Sequence, residues 1–296
     1  MHGQHGAKLV AMDVVREGFT ATSPRIRYWQ AGTGGPRVLL IMGFGMQGEI
    51  WRPQVDDLSR DHQVAFFDNR GIGESETDKR LWTMADMARD AVRVAEQLGW
   101  DDFHLAGVSM GGMVAQELAC NHPERVKSLT LIATHEGGAN LQWLPSVRAL
   151  NVFLRANSGP REQRLDALRE LLYPSAFLAS VDPEAMQQRM SAQLGKPAPK
   201  STILGQLHAI LRHSTGPRLA AFRAPTLIIK PGQDILIPPR NSDRLRRRLA
   251  HARLLEIEDA GHGAVFQSAP AINRALREHI GAAEPRRATD EKRELR

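Results

Sequence analysis

Gly107-Val108-Ser109-Met110-Gly111 is the segment best suited to chemistry. A strand-like run, Phe103–Val108, precedes the serine, and a helical pattern, Gly111–Asn121, follows it. That context fits a sharp strand–turn–helix corner in which the hydroxyl stands clear of the backbone. Glycines two positions either side remove Cβ atoms that would collide where strand and helix meet, and Gly112 adds room. The corner also sets Ser109 at a helix N-terminus, where the dipole favours developing negative charge. A serine hydroxyl is a weak nucleophile until a base takes its proton.

Two downstream residues can complete such a device. Asp234 follows the strand Thr226–Lys230 in Pro231-Gly232-Gln233-Asp234, and His262 follows the strand Leu254–Ile257 in Ala260-Gly261-His262-Gly263. All three residues then lie at the carboxyl ends of strands, which in an open α/β sheet share one edge. His262 would accept the Ser109 proton, and Asp234 would fix the imidazole tautomer and stabilise the imidazolium. Asp259 and Glu258 compete for the acid role. The histidines at 62, 104, 122, 208, 213 and 251 fall in helices, strand starts or presumed surface turns. A tetrahedral intermediate also needs N–H donors. The N–H of Met110, next after the serine, is one candidate. The N–H of Phe44, in the loop Met42-Gly43-Phe44-Gly45-Met46-Gln47-Gly48, is the other.

These residues need a scaffold. Strand-like segments are Leu9–Arg16, Arg25–Gln30, Val38–Met42, Val64–Phe67, Phe103–Val108 and Leu129–Ala133. They alternate with helical patterns at Trp51–Ser59, Met84–Leu98 and Gly111–Asn121. Unbroken apolar runs such as Val38-Leu39-Leu40-Ile41 suit strands covered on both faces. The alternation implies an α/β fold with a mostly parallel, doubly wound sheet. From about 137 to 218 the pattern is helical, broken by prolines. The βα rhythm then returns with Thr226–Lys230, the helix Arg240–Ala250, Leu254–Ile257 and the helix Ala264–Ile280. Residues 1–136 and 219–280 therefore read as one core, 137–218 as a helical insertion and 281–296 as a frayed tail.

Composition bounds the rest. The 296 residues suffice for one large α/β domain with an insertion. Lys and Arg number 39 against 33 Asp and Glu, a net charge of +6. The excess is scattered, and its densest run, Arg244 with Arg246, Arg247 and Arg248, reads as a solvated helix face, not a nucleic-acid surface. Cys120 is the one cysteine, which excludes an intrachain disulfide and reads as a buried, inert thiol. No stretch approaches the roughly 18 apolar residues of a membrane span, and the N-terminus has no secretory pattern. The expectation is a cytoplasmic protein without a membrane partner. Gly43, Gly45 and Gly48 match G-x-G-x-x-G, but no acidic residue follows in the manner of a nucleotide site. No cofactor and no metal are expected.

Together the motifs resemble the α/β-hydrolase superfamily, and within it the small esterases, enol-lactone hydrolases and methylesterases. The likeness rests on Val38–Gly45, Phe66-Phe67-Asp68-Asn69-Arg70-Gly71-Ile72-Gly73-Glu74-Ser75, Ala106–Val126, Leu227–Pro238 and Asp259–Gly263. It implies a sheet of about eight strands with a helical lid over the site, and the chain order nucleophile, acid, histidine. The Asp68–Ser75 turn is mainly structural in that pattern. Many members carry histidine where this chain has Met42, a change that alters hydrogen bonding in the loop. Members with an aspartate nucleophile are excluded by Ser109.

The reaction expected is hydrolysis of a small, moderately apolar carboxylic ester or lactone through an acyl-serine. The same triad can serve acyl transfer, carbon–carbon bond hydrolysis or cofactor-free perhydrolysis, and the fold can also serve as a ligand-sensing receptor with little turnover. Trp143, Leu144, Val147, Leu150, Phe153, Leu154, Leu171, Leu172, Tyr173 and Phe177 give the insertion an apolar character, and no charged constellation for a carboxylate or phosphate stands out. Substrate-binding residues and oligomeric state are not legible.

Overall fold

A computed structural model describes residues 15–78, 81–138, 143–194 and 198–284. The first half runs β1 (Arg16–Phe19), β2 (Arg27–Ala31), β3 (Arg37–Ile41), α1 (Arg52–Leu58), β4 (Gln63–Phe67), α2 (Met84–Gln97), β5 (Phe103–Val108), α3 (Met110–Asn121) and β6 (Val126–Ile132). Six helices follow: α4 (Val147–Asn157), α5 (Arg161–Leu172), α6 (Ser175–Ser180), α7 (Pro183–Leu194), α8 (Lys200–Leu211) and α9 (Gly216–Leu219). The chain then returns through β7 (Thr226–Pro231), α10 (Arg240–Arg248), β8 (Arg253–Ile257), α11 (Ala264–Gln267) and α12 (Ala269–Ala283).

The eight strands form one sheet in the order β1-β2-β4-β3-β5-β6-β7-β8. β1 and β2 are antiparallel to their neighbours, and β3 to β8 pair in parallel. Successive side chains on a strand face opposite ways. Leu39 and Ile41 therefore pack with Met87, Met113 and Leu245 on one face. Val38 and Leu40 pack with Val55, Leu58, Ile272 and Leu276 on the other. The unbroken apolar run of β3 records this double coverage. The insert between β6 and β7 has its own core, including Val152, Leu165, Leu168, Leu171 and Met190. Its two ends meet: Gly137 bridges Ser214, and Thr215 donates its N–H to the Glu136 carbonyl at 3.1 Å.

Three sequence expectations shift. The first strand lies at Arg16–Phe19, where it pairs with β2 in the register Arg16↔Gln30 to Phe19↔Arg27, and not at Leu9–Arg16. Residues 9–14 of that expectation lie outside the described residues. Pairing partners, which local apolar content does not encode, place this edge strand. The expected single helix Ala264–Ile280 is two helices broken at Ser268 (φ −119°, ψ 33°). Pro270 lacks an N–H and its ring would strike the carbonyl four residues back, so it can only open a new helix. Finally, α12 continues through Ala283, inside the segment expected to fray, and Glu284 holds His104 (2.9 Å) and Lys127. The rest of that segment lies outside the described residues. Among the described residues no helix is long and apolar enough to cross a membrane.

Candidate active site

Ser109 joins β5 to α3 with φ 56° and ψ −123°, a backbone conformation that side chains other than glycine rarely adopt. The corner is pinned on both sides: its N–H donates to the Ile132 carbonyl (2.9 Å), and its carbonyl accepts the Thr134 hydroxyl (2.7 Å). The flanking glycines are steric necessities. A Cβ on Gly107 would stand 2.3 Å from the Gly111 oxygen, and one on Gly111 would stand 2.1 Å from the Ile41 oxygen.

The loop after β8 carries His262, and the loop after β7 carries Asp234. His262 Nδ1 lies 2.7 Å from Asp234 Oδ2. The other carboxylate oxygen accepts the N–H groups of Leu236 (2.9 Å) and Ile237 (2.8 Å). Three donors thus converge on Asp234. With Nδ1 as the donor, the Nε2 lone pair is left for the serine proton. Asp259, the rival acid, instead gives its backbone carbonyl to Gln267. The histidine loop is held by Gly263 N–H on the Leu172 carbonyl (2.8 Å) and by Gly261 N–H on Gln267 Oε1 (2.9 Å). Ser109, Asp234 and His262 are 8, 3 and 7 % exposed, so their polar contacts operate largely away from water.

The loop after β3 passes beside the serine: a Cβ on Gly43 would come within 3.2 Å of Ser109 Cβ. Met110 opens α3, where N–H groups have no helical acceptor. Among the described residues neither its N–H nor that of Phe44 has an acceptor. Gly45 N–H is occupied, donating to Gln206 Oε1 of α8 at 2.8 Å. Met42 buries its side chain in the core while its carbonyl accepts Asn69 Nδ2 (2.8 Å). Gly48 N–H donates to Asp68 Oδ1 (2.7 Å). Burial pushes the Asp68 carboxyl up to about 6, opposed by that N–H. The Asp68-Asn69 turn thus buttresses the loop beside the serine. Its motif was visible in the sequence, but this role was not. Gln206 carried no signal, because its contact spans two distant parts of the chain.

Ser109 and His262 line one cavity of about 490 Å³. Its walls come from the β3 loop (Phe44, Met46), from α4 (Phe153), from α5 (Leu168, Leu171, Leu172) and from Val265 and Phe266. Tyr173 also lines it, and burial raises its phenol above the ordinary range. The Arg189 guanidinium lies over the Phe266 ring, 3.2 Å from its centroid. Arg164 and Lys200 line the cavity too, an arrangement that sequence reading had not found.

Comparison with known proteins bears on the family and the fold. The profile of the α/β hydrolase fold matches residues 36–269. A candidate carbamate hydrolase, RutD, from Azorhizobium caulinodans is 32% identical over 237 residues, covering 79% of this chain and 87% of that protein. The enol-lactonase of Burkholderia xenovorans LB400 superposes with a TM-score of 0.77 at 22% identity, covering 89% of this chain and 100% of that one. A thermophilic esterase from Thermogutta terrifontis, solved with malate bound, gives a TM-score of 0.75 at 24% identity over 92% of this chain and 100% of that one. At those identities the two structures speak to the fold alone.

Proposed function

The chain belongs to the α/β-hydrolase family, and on that premise we propose that it is a serine hydrolase cleaving a carboxylic ester or lactone through an acyl–Ser109 intermediate. The observation that carries this reading is the 2.7 Å contact of His262 Nδ1 with Asp234, in a cavity that His262 shares with Ser109. His262 Nε2 takes the Ser109 proton as Oγ attacks the acyl carbon. The carbonyl oxygen becomes an oxyanion facing the N–H groups of Phe44 and Met110, which can contribute several kcal/mol to the transition state. Collapse expels the alkoxide, which receives the proton from His262. Water then gives a proton to His262 and attacks the acyl-enzyme, and the acid leaves as Ser109 regains its proton. The helices of 137–218 act as a lid in this reading. Their apolar lining and the cavity volume suit a moderately apolar acyl group of small to medium size.

A carbamate presents the same kind of acyl carbon to the same machinery. The likeness to the RutD protein favours that second reading, whereas the breadth of apolar wall favours an ester or lactone.

The test is turnover of p-nitrophenyl esters from acetate to decanoate by the wild type and Ser109→Ala. Turnover that peaks at medium chain length and disappears in the variant is the expected result. Equal rates in the two proteins would overturn the serine mechanism, and turnover of carbamates alone would move the substrate class.

A further inference from the structure

The permanently charged residues of the cavity lining carry one sign. Arg164 and Lys200 line the cavity, as does Asn157, while no aspartate or glutamate does among the described residues. Both cations cap inward-facing stripes. On α5, Arg164, Leu168, Leu171 and Leu172 line the cavity at i, i+4, i+7 and i+8. On α8, Lys200, Ile203 and Leu204 do so at i, i+3 and i+4. From Arg164 to Leu172 the helix climbs about 12 Å, and Leu172 is the residue bonded to Gly263 beside His262. Lys200 and Leu204 are exposed whereas Ser109 and Val108 are buried. Lys200 therefore stands at the solvent side of the cavity and Ser109 on its buried side, with Arg164 half-buried.

Two neighbouring arginines of the insert are matched by carboxylates. Arg155 pairs with Glu170 at 2.7 Å, and Arg169 pairs with Asp166. Arg164 has only a long contact, from Nε to the Ala156 carbonyl at 3.5 Å, among the described residues. The acids closest to it on α5, Glu162 and Asp166, are two positions away and face elsewhere on the helix. Two cations lining an apolar cavity, with no carboxylate partner among the described residues, form a receptor for an anion.

We propose that Arg164 and Lys200 form a carboxylate subsite. The substrate is an ester or lactone with an apolar body whose far end carries a carboxylate, seated between these cations while the acyl carbon rests at Ser109. This rests on the reading of Ser109 as nucleophile given above.

The test compares p-nitrophenyl octanoate with the mono-p-nitrophenyl ester of suberate, which has the same chain ending in a carboxylate. At low salt the anionic ester is expected to show about tenfold higher kcat/KM, carried by KM, and the advantage shrinks as ionic strength rises. Lys200→Gln reduces the ratio and Arg164→Glu inverts it. Because each ratio is taken within one protein, a general loss of activity cancels. Calorimetric titration of Ser109→Ala with monomethyl suberate and with methyl octanoate reads the subsite without turnover. Equal kcat/KM together with equal binding overturns the subsite and leaves the hydrolase reading standing. Preferred binding of the anionic ester without wild-type turnover of either ester overturns the hydrolase reading and supports the subsite. Failure of Ser109→Ala to bind either ligand overturns the subsite.

Discussion

The carbonyl of Leu172 accepts the N–H of Gly263 at 2.8 Å, tying the last residue of α5 to the loop that carries His262. Gly261 lies against the same carbonyl, and a Cβ there would stand 2.6 Å from it and 2.7 Å from Pro174 Cδ. Neither obstacle is a flexible side-chain tip. Gly261→Ala must therefore displace the insert or the histidine. We expect a loss of about 1–3 kcal/mol in stability and a fall in kcat of at least about tenfold, because sub-ångström placement of a base matters. Thermal unfolding and steady-state kinetics on a p-nitrophenyl ester check both. Unchanged kcat would mean that the insert and the histidine loop move independently.

Strain at the elbow has a measurable sign. Ser109 occupies φ 56°, ψ −123°, a region costing of order 1–3 kcal/mol for a residue with a side chain. Ser109→Gly removes that cost and adds about 0.5–1 kcal/mol of backbone entropy to the unfolded chain. The net effect is a Tm raised by a few degrees in a protein without esterase activity. A lowered Tm would show that the serine contacts outweigh the strain.

Gln206 is fully buried and reaches across from α8 to hold Gly45. Its Nε2 has no partner among the described residues. Gln206→Leu leaves the half-buried Gly45 N–H without its acceptor, a loss of about 1 kcal/mol. It also loosens the loop that presents Phe44 N–H. We expect kcat to fall about tenfold or more with KM little changed, since only transition-state stabilisation is lost. A change confined to KM would place Gln206 in substrate binding instead.

Acid stability should depend on His213. The ring is 4 % exposed, both its nitrogens lack partners among the described residues, and burial lowers it to about 3. In the unfolded chain it titrates near 6.5. Between those values the unfolded state binds a proton that the folded state refuses, so stability present above pH 6.5 is lost as pH falls. Each such proton contributes a slope of up to about 1.4 kcal/mol per pH unit. Denaturant unfolding from pH 7.5 to 5 should show a slope in His213→Phe shallower by up to that amount. Parallel slopes in the two proteins would mean that His213 is protonated in the fold.

The residues of the candidate site could be picked out from the sequence for a physical reason. Ser109, Asp234 and His262 each follow a strand of the parallel sheet, with a glycine one or two residues away, and a parallel sheet gathers such ends on one edge. The doubly covered strands announced themselves by unbroken apolar runs. What escaped was set by tertiary contact. The edge strand Arg16–Phe19 is placed by its pairing with β2, not by its own composition. Gln206 works through a contact 161 residues distant in sequence. Arg164 and Lys200 face inward because of how α5 and α8 lie on the core, and helical periodicity fixes which residues share a face, not what that face meets.

The insert leaves and re-enters the core through a single gate. Glu136, Gly137 and Gly138 on one side meet Thr215, Ser214 and His213 on the other through the two backbone bonds of the Gly137–Ser214 bridge, Thr215 N–H to the Glu136 carbonyl and Gly138 N–H to the His213 carbonyl, each 3.1 Å long. A segment whose ends are already joined adds little closure entropy when its length changes. The excursion is therefore a cassette: another helical hairpin or bundle spliced at the same gate would meet the same scaffold. It would have to reproduce the insert's contacts to the core, among them the acceptors at Gly45 and Gly263. Within those contacts the cavity wall can change its side chains while the strands that carry Ser109, Asp234 and His262 stay as they are.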